Sequence, residues 1–216
     1  VDWGGGGVSK GKSDLALQSY TSIAVCGLTA DGRVDVIYGF RSMNPHDHVR
    51  EAKVILGIMN TFNCSHLVHD YTGAGTVRET ILRQAGLPLN NILPVAYTGP
   101  AKGGIIIYKP ATDNHPRSHY TMDRNRALNY CCQFIKSNVI RFFQYDYHGS
   151  EDVGLLHDFL NLIEDKTDSG AGRGSYKILR DPAGPDDFAQ AVTMGTMMLF
   201  QMQGRWPDLS AYEDIR

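Results

Sequence analysis

Residues 184–203 read GPDDFAQAVTMGTMMLFQMQ. Pro185 followed by two acids and an apolar run predicts a helix over 186–203, with Phe188, Ala191, Val192, Gly195, Leu199 and Met202 on one stripe. Asp186 after Pro185 suits an N-cap, and Asp187 suits the first turn, where the helix dipole favours a carboxylate. Both acids also stand where a helix starts, which is where ligands collect in a mixed sheet. The residues alone leave these two readings open.

Working outward, strand-like and helix-like stretches alternate. Ser19–Leu28 and Val34–Phe40 are rich in Tyr, Thr, Ile and Val, with Asp31-Gly32 as the turn between them. Residues 49–62 carry Ala52, Ile55, Met59 and Phe62 at helical spacing. His66-Leu67-Val68-His69-Asp70 reads as a short strand ending in an acid. Thr76-Val77-Arg78-Glu79 reads as a capping box, with Gly86 as the stop of the helix it opens. Ile92–Tyr97 is a strand, and 104–123 a hairpin with a long polar tip. A helix over 125–137 and a strand over Val139–Phe143 follow. Residues 151–165 are expected to form a helix that buries Leu156, Phe159, Leu160 and Ile163. Glu151 and Asp152 fall in its first turn. Tyr176–Leu179 is one more strand. An antiparallel opening followed by alternating β and α elements predicts an α/β fold: a mixed sheet flanked by helices, with an additional hairpin.

The 216 residues suffice for one sizeable core, and neither a repeat nor a linker divides 1–216. With 42% hydrophobic and 20% charged residues the composition is that of a globular domain. No apolar run approaches the ~20 residues of a membrane span. The glycine-rich start lacks the basic-then-apolar order of a secretory signal. Beginning at Val1 rather than Met, the sequence reads as a fragment or a trimmed chain. Cys26, Cys64, Cys131 and Cys132 form no CxxC pair, which argues against an ordinary zinc site and for reduced thiols. A net charge of −2 excludes nothing: a nuclease with an acidic site can be basic on one face only.

Asp2, Asp70, Asp186 and Asp187 fall beside the first strand, at a strand end and at a helix start. Carboxylates gathered there repel unless a cation lies between them. Two divalent ions roughly 3.5–4 Å apart can activate water and stabilise the leaving oxygen of a phosphodiester. Oxygen-only ligation suits Mg²⁺ or Mn²⁺. The plainer readings are a turn at Asp70 and a capped helix at Asp186.

Val1-Asp2-Trp3-Gly4-Gly5 with the Ser19–Val25 strand resembles the opening of the nuclease domain of terminase large subunits from tailed bacteriophages. Val68-His69-Asp70-Tyr71-Thr72-Gly73-Ala74-Gly75 is similar to that family's second acidic motif. Gly184-Pro185-Asp186-Asp187-Phe188-Ala189-Gln190-Ala191 is similar to its third. The three occur in family order across nearly the whole chain. The resemblance implies an RNase H-like endonuclease that cuts concatemeric double-stranded viral DNA during packaging, in the host cytoplasm. It implies two Mg²⁺ or Mn²⁺ ions on Asp2, Asp70 and Asp186, with Asp187 as a fourth acid. The partners it implies are a packaging ATPase domain of the same polypeptide, the portal and the small terminase subunit. That ATPase is not found in this sequence, and the first strand is short for an acid expected well inside it. A resolvase or transposase-type enzyme of the same fold would use the same acids. An NTPase or a non-catalytic packaging module is the alternative of another class.

Gly6-Gly7-Val8-Ser9-Lys10-Gly11-Lys12-Ser13 matches GxxxxGK[ST], yet a phosphate loop needs a buried strand before it and a long helix after it, and neither is present. Lys10 and Lys12 instead become candidate DNA phosphate contacts, as does Lys102. The hairpin tip is read as basic, with Lys109, Arg117, Arg124 and Arg126 available to a DNA backbone. His46-Asp47-His48 reads as a polar loop before a helix, and His69 as facing away from Asp70.

Overall fold

The computed structural model describes residues 1–4, 20–42, 47–73, 75–99, 103–113, 116–142, 154–167, 175–181 and 184–208. Strands β1 (Thr21–Leu28) and β2 (Val34–Ser42) form the opening antiparallel hairpin. Its turn uses Gly32 at φ +83°, a left-handed conformation that costs glycine little. Helix α1 (His48–Thr61) follows, capped by the Asp47 carboxylate accepting from the Arg50 N–H at 3.0 Å. Then come β3 (Leu67–Asp70), α2 (Gly75–Gln84), β4 (Ile92–Thr98), β5 (Ile106–Lys109), β6 (His119–Asp123), α3 (Arg124–Lys136) and β7 (Ile140–Phe142). A short α4 (His157–Leu160), the strands β8 (Leu162–Thr167) and β9 (Ser175–Arg180), and α5 (Asp187–Gln203) complete the order.

The strands group as β7-β2-β1 and as β3-β4-β6-β5, with β8-β9 apart. Segment Val1–Trp3 bridges the two larger groups. Asp2 and Ser22 exchange backbone hydrogen bonds of 2.9 and 2.8 Å, antiparallel to β1. On its other side the Val1 nitrogen donates to the Val68 carbonyl at 2.6 Å and the Val1 carbonyl accepts from Asp70 at 3.1 Å, which is parallel pairing with β3. Strands β3, β4 and β6 are mutually parallel; α2 connects β3 to β4, β5 lies between β4 and β6 in the chain, and α3 leads from β6 to β7.

Alternation along the strands sends side chains to two cores. Val1, Trp3, Ile23 and Leu67 pack with Ala52, Ile55 and Met59 of α1 and Leu82 of α2. Val34, Val36, Val95 and Met122 pack with α3 and α5. Helix α5 is buried nearly all round, as its run of Met, Phe and Val requires. The segment 1–4 is also fastened from the α2 side. Arg78 lies over the Trp3 ring at 5.1 Å, donates to the Gly4 carbonyl at 3.1 Å and pairs with buried Glu51.

Three expectations fail. The helix over 151–165 is a single turn, α4, followed by β8; residues 151–153 lie outside the described part. Phe159 is partly buried, but Leu156, Leu160 and Ile163, expected in the core, are 40%, 77% and 45% exposed. Strand β8 pairs with β9 from Leu162↔Arg180 to Thr167↔Ser175, a partner that helical spacing cannot reveal. The capping box is not formed either: α2 starts at Gly75, and Glu79 turns to His69 and Arg117. Finally, Arg124 and Arg126 are not at the hairpin tip. They lie in the first turn of α3, beyond the end of β6 that is remote from the tip. The β5–β6 hairpin itself is present, but β6 also pairs with β4, so it extends the sheet.

Candidate functional site

The bridging segment places Asp2 on the sheet face that α5 covers, since its neighbours Val1 and Trp3 point to the other core. Asp70, at the end of β3, shares that face, while His69 turns away, as expected from alternation. His69 is fully buried; its Nδ1 lies 3.0 Å from the Trp3 indole N–H and 2.9 Å from the Asp70 carbonyl oxygen, and its Nε2 lies 3.3 Å from Glu79. The start of α5 brings Asp186 and Asp187, both buried.

Burial pushes the Asp2 carboxyl well above the usual carboxylate range, and the charges of Asp187, Asp70 and Asp186 push it further. Acids from two other segments of the chain therefore come near Asp2. Asp70 accepts from the Thr72 N–H at 2.8 Å and from the Thr72 hydroxyl at 2.7 and 2.8 Å, the turn that its sequence also suggested. Asp186 occupies the N-cap position, yet its side chain caps nothing. Its Oδ2 accepts instead from Arg124 Nη2 at 2.9 Å and from Gln190 Nε2 at 2.7 Å. Asp187 Oδ2 accepts from the Tyr20 N–H at 3.1 Å.

Several residues around the acids were not anticipated. Arg124, expected on DNA, neutralises Asp186 and donates to the Ile178 carbonyl of β9 at 3.0 Å. Gln190 and Ser22 present buried side-chain oxygens without a partner among the described residues. The Tyr97 hydroxyl donates to the Gln190 carbonyl at 3.3 Å and is held well above its usual pKa by burial and by Asp2. Asp158, fully buried, accepts from the Phe188 N–H at 2.7 Å and from Arg41 at 2.5 Å. Arg124, Ser22 and Asp158 carry no local sequence signal; only the spacing Asp186–Gln190, one helical turn, could have drawn attention to Gln190.

The donor set suits a hard divalent cation. It is all oxygen, and the mutual repulsion felt at Asp2 is what such a cation relieves. Among the described residues no three His, Cys, Asp or Glu side chains converge as a ready-made cage. The carboxylates of Asp70 and Asp186 are turned to Thr72 and to Arg124 and Gln190.

Of the candidate DNA contacts, Lys10, Lys12 and Lys102 lie outside the described residues, as do the Walker-like stretch 6–13 and His46. Lys109 and Arg126 are exposed. Arg117 is engaged within the fold: Nε donates to Glu79 at 2.8 Å and Nη2 to the Ile92 carbonyl at 2.9 Å. Burial disfavours the Glu79 charge, but His69 and Arg117 outweigh it and hold its carboxyl below the usual range. Arg117→Ala is accordingly expected to lower stability by about 1–3 kcal/mol by leaving Glu79 Oε1 without its partner, read from urea unfolding; an unchanged midpoint would count against this anchoring.

Gly75 explains the close approach of α2 to the Asp70 turn. A Cβ there would stand 2.3 Å from the Asp70 carbonyl oxygen, a backbone atom that cannot swing aside. Gly75→Ala should cost about 1–3 kcal/mol, the usual range for overpacking, and displace Asp70. Thermal unfolding checks the first and Mn²⁺ affinity the second.

All four cysteines are free thiols. Among the described residues no helix is long and apolar enough to cross a membrane. Comparison of the chain with protein-family models, curated proteins and solved structures returns no match.

Proposed function

We propose that this chain is a divalent-metal-dependent endodeoxyribonuclease of RNase H-like fold, corresponding to the nuclease domain of a phage terminase large subunit. The observation that carries the reading is that Asp2 and Asp70 share the sheet face that α5 covers, with Asp186 and Asp187 buried at the start of that helix. The strand arrangement supports the fold. A central segment lies antiparallel to a hairpin on one side and parallel to β3 and β4 on the other, and the last helix delivers acids to it.

In this reading Asp2, Asp70 and Asp186 hold two Mg²⁺ or Mn²⁺ ions, with Asp187 ligating or orienting. Bound ions supply activation of water and neutralisation of charge on the leaving oxygen. The protein's own part is placement. Gln190 and Arg124 orient Asp186, the Tyr20 N–H orients Asp187, and Thr72 orients Asp70. The substrate is concatemeric double-stranded viral DNA in the host cytoplasm, with Lys109 and Arg126 as backbone contacts; Lys10, Lys12 and Lys102 are carried as further ones. The ATPase domain of the same polypeptide, the portal and the small subunit are the proposed partners.

The test is nicking of supercoiled plasmid by the purified chain with Mn²⁺ or Mg²⁺. Cleavage that EDTA abolishes is the expected result; no cleavage with either ion, by a protein that calorimetry shows to bind none, would reject the reading.

A further inference from the structure

The single turn of α4 meets the start of α5 with polar side chains rather than leucines. Asp158 and Asn161, three residues apart, lie on one side of that turn. Asp158 is fully buried, whereas Leu160 is 77% exposed. The two side chains hold the backbone on either side of the acid pair. Asp158 Oδ2 accepts from the Phe188 N–H at 2.7 Å, just after Asp187. Asn161 Nδ2 donates to the Pro185 carbonyl at 2.7 Å, just before Asp186. Gly184 leaves room for this contact, since a Cβ there would stand 2.3 Å from Asn161 Nδ2. The Asn161 carbonyl in turn accepts from the Asp181 N–H at 2.7 Å, which fastens the end of β9 to the same turn.

An N-cap side chain ordinarily accepts from the second or third N–H of its own helix, from an extended backbone. Asp186 holds the N-cap position at φ −128° and ψ 7° and makes no such bond. The second N–H, that of Phe188, is taken by Asp158. Capping has thus passed to another element, and the Asp186 carboxylate turns to Arg124 and Gln190. Arg41 ties the arrangement to the sheet. It pairs with Asp158 at 2.5 Å and lies 5.3 Å over the ring of Tyr20, whose N–H donates to Asp187.

We propose that Asp158 and Asn161 are positioning residues of the acidic centre: they grip the backbone on either side of Asp186-Asp187, so that the Asp186 carboxylate is available to a cation instead of capping its own helix. The proposal rests on the metal-centre reading above. Without the Asp158 carboxylate, the ordinary acceptor for the Phe188 N–H is the N-cap side chain itself, Asp186. Without the Asn161 amide, the residue before the cap loses its anchor and the first turn of α5 can shift. Either change draws a ligand away from the cation. Side chains that only orient ligands typically alter metal affinity by about 10–100-fold.

The test is calorimetry with Mn²⁺ alone, with urea unfolding to confirm that each protein is folded. Asp158→Ala and Asn161→Ala are each expected to weaken Mn²⁺ binding at least about tenfold. Asp158→Asn keeps an acceptor for the Phe188 N–H and should bind Mn²⁺ as the parent does. Met59→Ala truncates the other core and destabilises through packing alone, so it too should bind as the parent does. Asn161→Ala removes one partly buried hydrogen bond and carries the test even where Asp158→Ala does not fold. Parent-like affinity in folded Asn161→Ala would overturn the proposal while leaving the metal reading intact. Equal weakening in Met59→Ala, or no rescue by Asp158→Asn, would overturn it as well. A parent that binds no Mn²⁺ would reject the metal reading and the proposal with it.

Discussion

Asp70→Asn is expected to lower Mn²⁺-dependent plasmid cleavage by at least about a hundredfold, the scale on which loss of one preorganised electrostatic group is felt, while the fold persists. Asparagine keeps the shape, and its Oδ1 still accepts from the Thr72 N–H and hydroxyl that hold Asp70 at the end of β3. What it removes is one of the charges that act on Asp2. With less repulsion around Asp2, the protein without metal should be no less stable than the parent. Its Mn²⁺ affinity, measured by calorimetry, should fall together with cleavage. Near-normal cleavage by a folded Asp70→Asn protein would remove Asp70 from the site. Loss of cleavage together with loss of the unfolding transition would instead assign it a structural role.

The second large effect concerns stability. Asp158 and Arg41 form a buried pair, 0% and 3% exposed, and the Phe188 N–H at the start of α5 donates to the same carboxylate oxygen. Removing one partner of a buried pair leaves the other charge uncompensated. Asp158→Ala should therefore cost about 3–5 kcal/mol at neutral pH. Asp158→Asn, which can still accept from Phe188 and Arg41, should cost less.

This group also imposes a pH dependence. Burial, opposed by Arg41 and by the Phe188 N–H, pushes its carboxyl up from 3.8 to about 6. Between those two values the native state binds more protons than the unfolded chain. The part of the stability that depends on protonation of Asp158 is thus fully present below about 4 and is lost as the pH rises through about 6, while the pairing with Arg41 remains above it. Urea unfolding at pH 5 and pH 7.5 should show a drop for the parent that is smaller in Asp158→Asn. The same drop in both proteins would assign it to other groups.

Local chemistry determined much of what is legible in the residues themselves. Helical spacing placed α1, α3 and α5 within a residue or two. The turn at Gly32 and the stop at Gly86, which takes φ +107°, follow from glycine's tolerance of the left-handed region. Alternation along β3 put His69 and Asp70 on opposite faces, and the four acids were visible as strand-end and helix-start residues. Tertiary structure decided what depends on partners far away in the chain. The 156–163 stretch carries helical spacing, but only one turn of it is helical; pairing with 175–180 draws the chain from Leu162 onward into β8, and Leu160 and Ile163 are exposed. Glu79 has the spacing of a capping residue, yet buried His69 and Arg117 together offer it more than one backbone N–H does. Arg124 and Arg117 read as surface cations until the fold brings Asp186 and Glu79 against them. Whether Asp186 caps a helix or joins an acidic centre could not be settled by the residues near it. It depends on Arg124 and Gln190, and on a sheet whose middle segment, Val1–Trp3, is held from both sides only after the chain has closed.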